Sequence, residues 1–156
     1  MCGRFNVTDS PEVISMLESF GFNIKGLRPR YYQPQYNIAP TEPVMVAAQA
    51  EDEKFVREMR WWLTPSWAPD VNTKYSMFNA KSETIETSRA FKSPFKHRRC
   101  LIPASGFIEW RKEEGKKQPY YIRPMEGHCF FGAIWDIWQK HDCSGKESGK
   151  KSENQG

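Results

Sequence analysis

Cysteine stands second in Met1-Cys2-Gly3-Arg4-Phe5, so removing one methionine leaves an α-amine and a thiol on a single residue. That pair is a reagent for aldehydes: an unprotonated amine gives an imine, and the adjacent thiolate closes on the imine carbon as a five-membered thiazolidine. An α-amine, with a pKa of roughly 7.7 to 8.0, is appreciably neutral near pH 7. A lysine needs burial to match it. Arg4 is a nearby cation and is expected to raise the thiolate fraction. Taken alone, a cysteine next to a chain terminus is more often an incidental small residue.

The other three cysteines, Cys100, Cys129 and Cys143, form no C-x-x-C spacing and pair with none of the three histidines. This argues against a zinc site and for reduced thiols, so neither metal nor cofactor is expected. No signal-peptide core precedes the fold and no apolar run approaches membrane-spanning length. The expectation is a soluble intracellular monomer without a membrane partner, nuclear in a eukaryote and cytoplasmic in a bacterium.

Net charge is only +4, but two stretches carry no acid. Lys25, Arg28 and Arg30 lie between Glu18 and Glu42, and Arg89, Lys92, Lys96, Arg98 and Arg99 lie between Glu86 and Glu109. Such stretches suit phosphate neutralisation, although charge runs are often just solvated faces. Aromatic residues make up 14% of the chain, and their faces can build a core or stack on bases.

At 156 residues the chain is one domain with room for a core. Ser10 as cap and Pro11 at the first helical position open a helix whose Val13, Ile14, Leu17 and Phe20 form an apolar stripe, ended by Gly21. Leu27 to Pro43 reads as an ordered Pro-rich surface loop that contains Asn37. Val44 to Ala48 and Phe55 to Leu63 read as a hairpin turned by Glu51-Asp52-Glu53, with Trp61-Trp62-Leu63 anchoring its second strand. A short helix is expected over Glu83 to Phe91, then one strand over Arg99 to Arg111 with a kink at Gly106. Strands over Tyr120 to Arg123 and Cys129 to Trp138 follow. Gln139 to Gly156 has no aliphatic, aromatic or methionine side chain, so the domain is expected to span 1–138 and 139–156 to be a polar disordered tail.

Together, Met1-Cys2-Gly3-Arg4-Phe5, Tyr36-Asn37-Ile38-Ala39-Pro40-Thr41, Asn79-Ala80-Lys81-Ser82-Glu83-Thr84 and Cys100-Leu101-Ile102-Pro103-Ala104-Ser105-Gly106-Phe107-Ile108-Glu109-Trp110 resemble the SRAP family, the SOS-response-associated peptidases or abasic-site-processing proteins. The resemblance runs from the first residue to about Trp138. It implies an α+β fold of mixed, mainly antiparallel sheet with a few short helices. It also implies a basic cleft for single-stranded DNA and covalent capture of abasic sites by the N-terminal cysteine. Cys2 would then be the nucleophile, Asn79 would orient the opened sugar or the amine, and Glu109 would move protons around the imine. Arg4, Lys81, Arg89, Arg98 and Arg99 would meet DNA phosphate, and Trp67 and Trp110 would stack on bases or wedge between them. Lys81 stands where the family often has arginine, keeping the charge without the bidentate fork. Ordinary alternatives are that Asn79 caps a helix and Glu109 pairs with Arg111.

The family's C-terminal portion carries further strands and a histidine in H-x-R-M-P, and this sequence has neither. His97, His128 and His141 do not replace it, and their default readings are solvated or structural. A fold incomplete at its C-terminus is therefore expected, with exposed apolar surface and an open strand edge. Two other readings remain: a thiol autopeptidase or amidohydrolase acting only on peptide bonds, and a non-catalytic DNA-binding module.

Overall fold

The structure is a computed structural model that describes residues 2–71 and 75–140. Its eight strands make two four-stranded sheets, and every strand pairing is antiparallel. The strands are β1 (Phe5–Val7), β2 (Gln35–Ile38), β3 (Pro43–Ala50), β4 (Glu53–Arg60), β5 (Arg99–Ala104), β6 (Gly106–Glu113), β7 (Lys116–Ile122) and β8 (Cys129–Ile134). One sheet runs β2-β1-β6-β7 and the other β4-β3-β5-β8. Among the described residues the two α-helices, α1 (Ser10–Ser19) and α2 (Lys92–His97), are short, and Pro29–Tyr32 forms one 3-10 turn. The mainly antiparallel α+β architecture is as expected.

The expected hairpin forms in full register, from Pro43 opposite Arg60 to Ala50 opposite Glu53. Val44 to Ala48 are all buried, which places β3 in the centre of the core. The second strand ends at Arg60; Trp61 still pairs through its backbone with Glu42 and Thr41, at 2.8 and 3.0 Å, and Trp62 and Leu63 lie beyond the strand. A second tight turn, between β6 and β7, uses Glu114 at φ 48° and Gly115 at φ 81°. Two consecutive positive φ values match the twist of the flanking strands.

Several local expectations are corrected. Ser10 lies inside α1, 1% exposed, and its hydroxyl donates to the Gln33 carbonyl at 3.0 Å instead of capping the helix. Val13, Ile14 and Leu17 are buried, but Phe20 follows the last turn and is 57% exposed. The Pro-rich stretch is not wholly loop: Gln35–Ile38 pairs with β1, and Asn37 lies within that strand. Residues 83–91 form successive turns, and the helix comes later, at Lys92–His97. The strand foreseen over Arg99 to Arg111 is two strands in different sheets. Ser105 separates them; its amide donates to Asn6 and its hydroxyl accepts from the Thr8 amide. Gly106 opens β6 beneath the Tyr121 ring, where a Cβ would sit 2.5 Å from the phenol oxygen.

The sheets meet through aromatic edges. Phe131 of β8 makes T-shaped contacts with Phe5 and Phe107 of the opposite sheet, at centroid separations of 5.7 and 5.6 Å. Trp61 meets Phe5 at 5.1 Å. These arrangements set the electropositive ring edge against the neighbouring π face. Packing continues through Trp138, whose indole donates to the Ala68 carbonyl at 2.7 Å. Most of the expected polar tail, including His141 and Cys143, lies outside the described residues.

Candidate active site

Cys2 precedes β1, which lies between β2 and β6, so the N-terminal segment is fixed from both sides. The Ile108 amide donates to the Arg4 carbonyl at 2.9 Å, carrying the pairing up to the cysteine. Asn79 arrives from a segment without regular structure that is nonetheless tied down. The Trp61 indole donates to the Phe78 carbonyl at 2.9 Å, and the Leu63 amide donates to that of Met77 at 3.1 Å. The Asn79 amide then donates to the Cys2 carbonyl at 2.7 Å. Asn79 therefore holds the backbone of Cys2 and does not cap a helix.

Burial pushes the Cys2 thiol above its ordinary pKa; the Arg4 backbone counters this, and the negative charge of Glu109 adds to the rise. Arg4 thus favours the thiolate through its backbone and not, as expected, through its cation, and it does not offset the burial. Its guanidinium turns to the Gly3 carbonyl at 2.9 Å, and the thiol lies 3.3 Å from the carbonyl oxygen of Arg4. Glu109 comes from β6, half-buried, with its Cα opposite that of Tyr120. Three residues spread over more than a hundred positions thus converge: a thiol, an amide holding its backbone, and a carboxylate whose field reaches the sulfur. Cys129, which the sequence reading did not implicate, also raises the Cys2 thiol slightly.

The basic residues divide into engaged and exposed groups. Arg98 pairs with Asp136 at 2.8 Å, and Asp136 has only 6% of its side chain exposed. Arg89 lies over the Trp67 ring at 4.3 Å, so one face of that indole is occupied. Lys81 and Arg99 are exposed, as is Trp110 on β6 at 45%. The first acid-free stretch meets its acid in space: Arg28 and Arg30 both pair with Glu58 of β4, at 3.4 and 3.1 Å. Glu58 also accepts from the buried Tyr31 hydroxyl at 2.9 Å. Sequence separation from Glu58 hides this cluster.

His128 has 9% of its side chain exposed and lies 3.3 Å from Glu12 across the start of α1. With Asp9 these residues bring possible ligand atoms within 4.8 Å of one another, a grouping absent from the sequence reading. Among the described residues no helix is long and apolar enough to cross a membrane.

The SRAP family model, described as SOS response associated peptidase, matches residues 1–153. The chain belongs to the SRAP family. It is 34% identical over 144 residues to the abasic site processing protein YoaM of Bacillus subtilis, matching 90% of this chain and 62% of that protein. It is 33% identical over 135 residues to the Escherichia coli abasic site processing protein YedK, matching 85% of this chain and 58% of that protein. The Xenopus tropicalis abasic site processing protein HMCES is 33% identical over 142 residues, with shares of 78% and 42%. Among solved structures, a Bacteroides thetaiotaomicron protein superposes with a TM-score of 0.74 at 23% identity, covering 88% of this chain and 61% of its own. That likeness bears out the SRAP-like fold. The chain spans about three fifths of the length of these bacterial relatives.

Proposed function

We propose that this SRAP chain captures abasic sites in single-stranded DNA through Cys2 once Met1 is removed. The observation that carries the reading is the convergence of Asn79 and Glu109 on Cys2. Relatives named as abasic site processing proteins supply the substrate class. An abasic deoxyribose opens to an aldehyde at C1′. The neutral α-amine adds to that carbon, and the carbinolamine loses one water to give an imine. The Cys2 sulfur then bonds to the same carbon while its proton goes to the imine nitrogen, closing the thiazolidine. The net change is loss of one water with no oxidation or reduction.

Glu109 serves as the proton carrier, accepting from the ammonium and returning a proton to the departing hydroxyl. Asn79 keeps the amine and thiol of Cys2 from rotating away, a contribution of proximity and orientation. The raised thiol matters little to the first step, which needs the amine. It leaves a proton on sulfur for delivery to nitrogen in the last. Arg4, Lys81 and Arg99 are assigned to phosphate and Trp110 to base stacking. Arg98, compensated by Asp136, is assigned to the fold, and Arg89 acts through its stack on Trp67.

The test is incubation of the Met1-processed chain with a single-stranded oligonucleotide carrying one abasic site. A covalent species resolved by denaturing electrophoresis and lost in Cys2→Ala is expected. An adduct that persists in Cys2→Ala sinks the assignment.

A further inference from the structure

Three side chains that take no part in the Cys2 site meet where α1 begins. Asp9 immediately precedes the helix, Glu12 lies in its first turn, and His128 immediately precedes β8. Their possible ligand atoms all fall within 4.8 Å of one another. None of the three lines the groove that Cys2 and Asn79 share. The His128 side chain is only 9% exposed, and its Nε2 faces the Glu12 carboxylate at 3.3 Å. Its Nδ1 is buried without a hydrogen-bond partner. A salt bridge is the ordinary account of such a pair, but it needs a protonated ring, hence a buried charge with one N–H unanswered. A neutral ring donating from Nε2 satisfies Glu12 and leaves Asp9 unexplained. The positive end of a helix favours acids, yet the Asp9 carboxylate makes no capping bond from the capping position. Two carboxylates gathered around one imidazole nitrogen repel each other unless a cation lies between them.

We propose that Asp9, Glu12 and His128 form a site for one divalent transition-metal ion of the zinc type. The 3.3 Å between Nε2 and the Glu12 oxygen matches the edge of a tetrahedron, about 3.4 Å, around an ion with bonds of about 2.0–2.1 Å. Asp9 is exposed and completes the set by rotating its side chain inward. An imidazole among the donors disfavours magnesium and calcium, which take oxygen, and suits zinc and its neighbours. Ligation uses the neutral ring, so no charge is buried on His128, and the two carboxylates answer the charge of the ion. Three protein ligands leave the fourth position to water. The bound ion ties the first turn of α1 to the start of β8, a strand that pairs on one side only among the described residues. Local sequence hides the site, because 116 positions separate Glu12 from His128.

The test uses the full chain, free of any tag, reduced and stripped with a chelator, with Co²⁺ as the probe. One Co²⁺ per chain is expected at this site, with the visible spectrum of nitrogen and oxygen ligation and displacement by Zn²⁺. Asp9→Asn and Glu12→Gln, both at exposed positions, keep the side-chain shape and each weaken binding at least about tenfold, the lower bound for losing even an indirect contact to a metal ligand. Circular dichroism and Tm of the metal-free variants matching the parent chain separate lost ligation from a lost fold. A second readout needs no variant: the ring-proton NMR resonances of His128 shift when Zn²⁺ is added, while those of His97 hold. Unmoved His128 resonances overturn the proposal, as do equal affinities in the parent chain and both variants. Binding seen only through a thiolate-to-cobalt charge-transfer band, and surviving both substitutions, assigns the ion to a cysteine and overturns it too. No readout uses DNA, so the result stands apart from the fate of the abasic-site reading.

Discussion

The Asn79 side-chain amide donates to the Cys2 main-chain carbonyl at 2.7 Å, across 77 positions of sequence. A carbonyl held this way fixes the Cα of Cys2, and with it both groups needed for a thiazolidine. Asn79→Ala removes the tether. Adduct formation is expected to slow by about a hundredfold, the penalty for loosened reacting groups. Stability is expected to fall by only about 1 kcal/mol, the usual net value of one hydrogen bond. Single-turnover crosslinking beside urea denaturation measures both, and equal losses in the two would reduce Asn79 to a structural role.

Glu109 and Cys2 are coupled by charge, which gives a signed pH prediction. Burial raises the folded thiol and the Glu109 carboxylate adds to it, so the thiolate fraction at pH 7.5 lies below that of a free cysteine. Glu109→Gln deletes the negative charge and lowers the thiol pKa. Iodoacetamide should therefore alkylate Cys2 several-fold faster in the variant at fixed pH, the wild type catching up as pH rises. Peptide mass spectrometry follows the reaction, and a slower variant would refute the coupling. Adduct formation should move the other way, because the proton carrier is gone.

Cys100 provides the contrasting thiol. It is 7% exposed on β5, and burial pushes it up to about 12. Its alkylation should wait for unfolding and come last after Cys2 and Cys129. The linkage sign follows from a folded value above the unfolded one: the stabilisation is complete below the ordinary thiol pKa and is lost as pH climbs toward about 12. Cys100→Val should flatten that alkaline decline in urea midpoints measured between pH 8 and 11. An unchanged slope would assign the decline elsewhere, for example to Tyr31, also raised to about 12.

Legibility of this chain from sequence followed the range of the forces involved. The β3–β4 hairpin depends on neighbours and alternation, and it was readable to within a few residues. The junction at Ser105 was not, because the sequence through Arg99 to Arg111 is uniformly strand-like. Only tertiary pairing, with Phe5 opposite Phe107 and Leu101 opposite Gly132, sends its halves to different sheets. The partners of Arg28, Arg30 and Arg98 were hidden for the same reason: Glu58 and Asp136 lie far along the chain from the arginines they neutralise. The contact of Asn79 with the Cys2 carbonyl had no local signal either, because 77 positions separate the two residues.

Arg98 and Asp136 join the start of β5 to the segment after β8, reinforced by the Trp135 amide donating to the Arg98 carbonyl at 3.0 Å. Asp136→Ala strands a partly buried guanidinium. A loss of about 2 kcal/mol is expected, below the range for fully buried pairs because Arg98 keeps 31% of its side chain exposed. The same variant distinguishes two roles for Arg98. If the arginine serves the fold, stability falls while affinity for an intact oligonucleotide stays level. If it serves DNA, freeing it raises affinity and its dependence on salt.

Gly106 is the final test, because it stands where the chain changes sheets. A Cβ there would meet the Tyr121 phenol, which is 50% exposed and donates to the Asn6 side chain at 3.1 Å. The ring can swing outward, so Gly106→Ala does not force backbone apart; it breaks the Tyr121–Asn6 bond and uncovers β1. The expected cost is about 1 kcal/mol. Tyr121→Phe should cost a similar amount, and the double variant little more than either alone, since both remove the same bond. Urea midpoints for the three variants decide it, and strict additivity would show that the glycine is required for some reason other than the tyrosine above it.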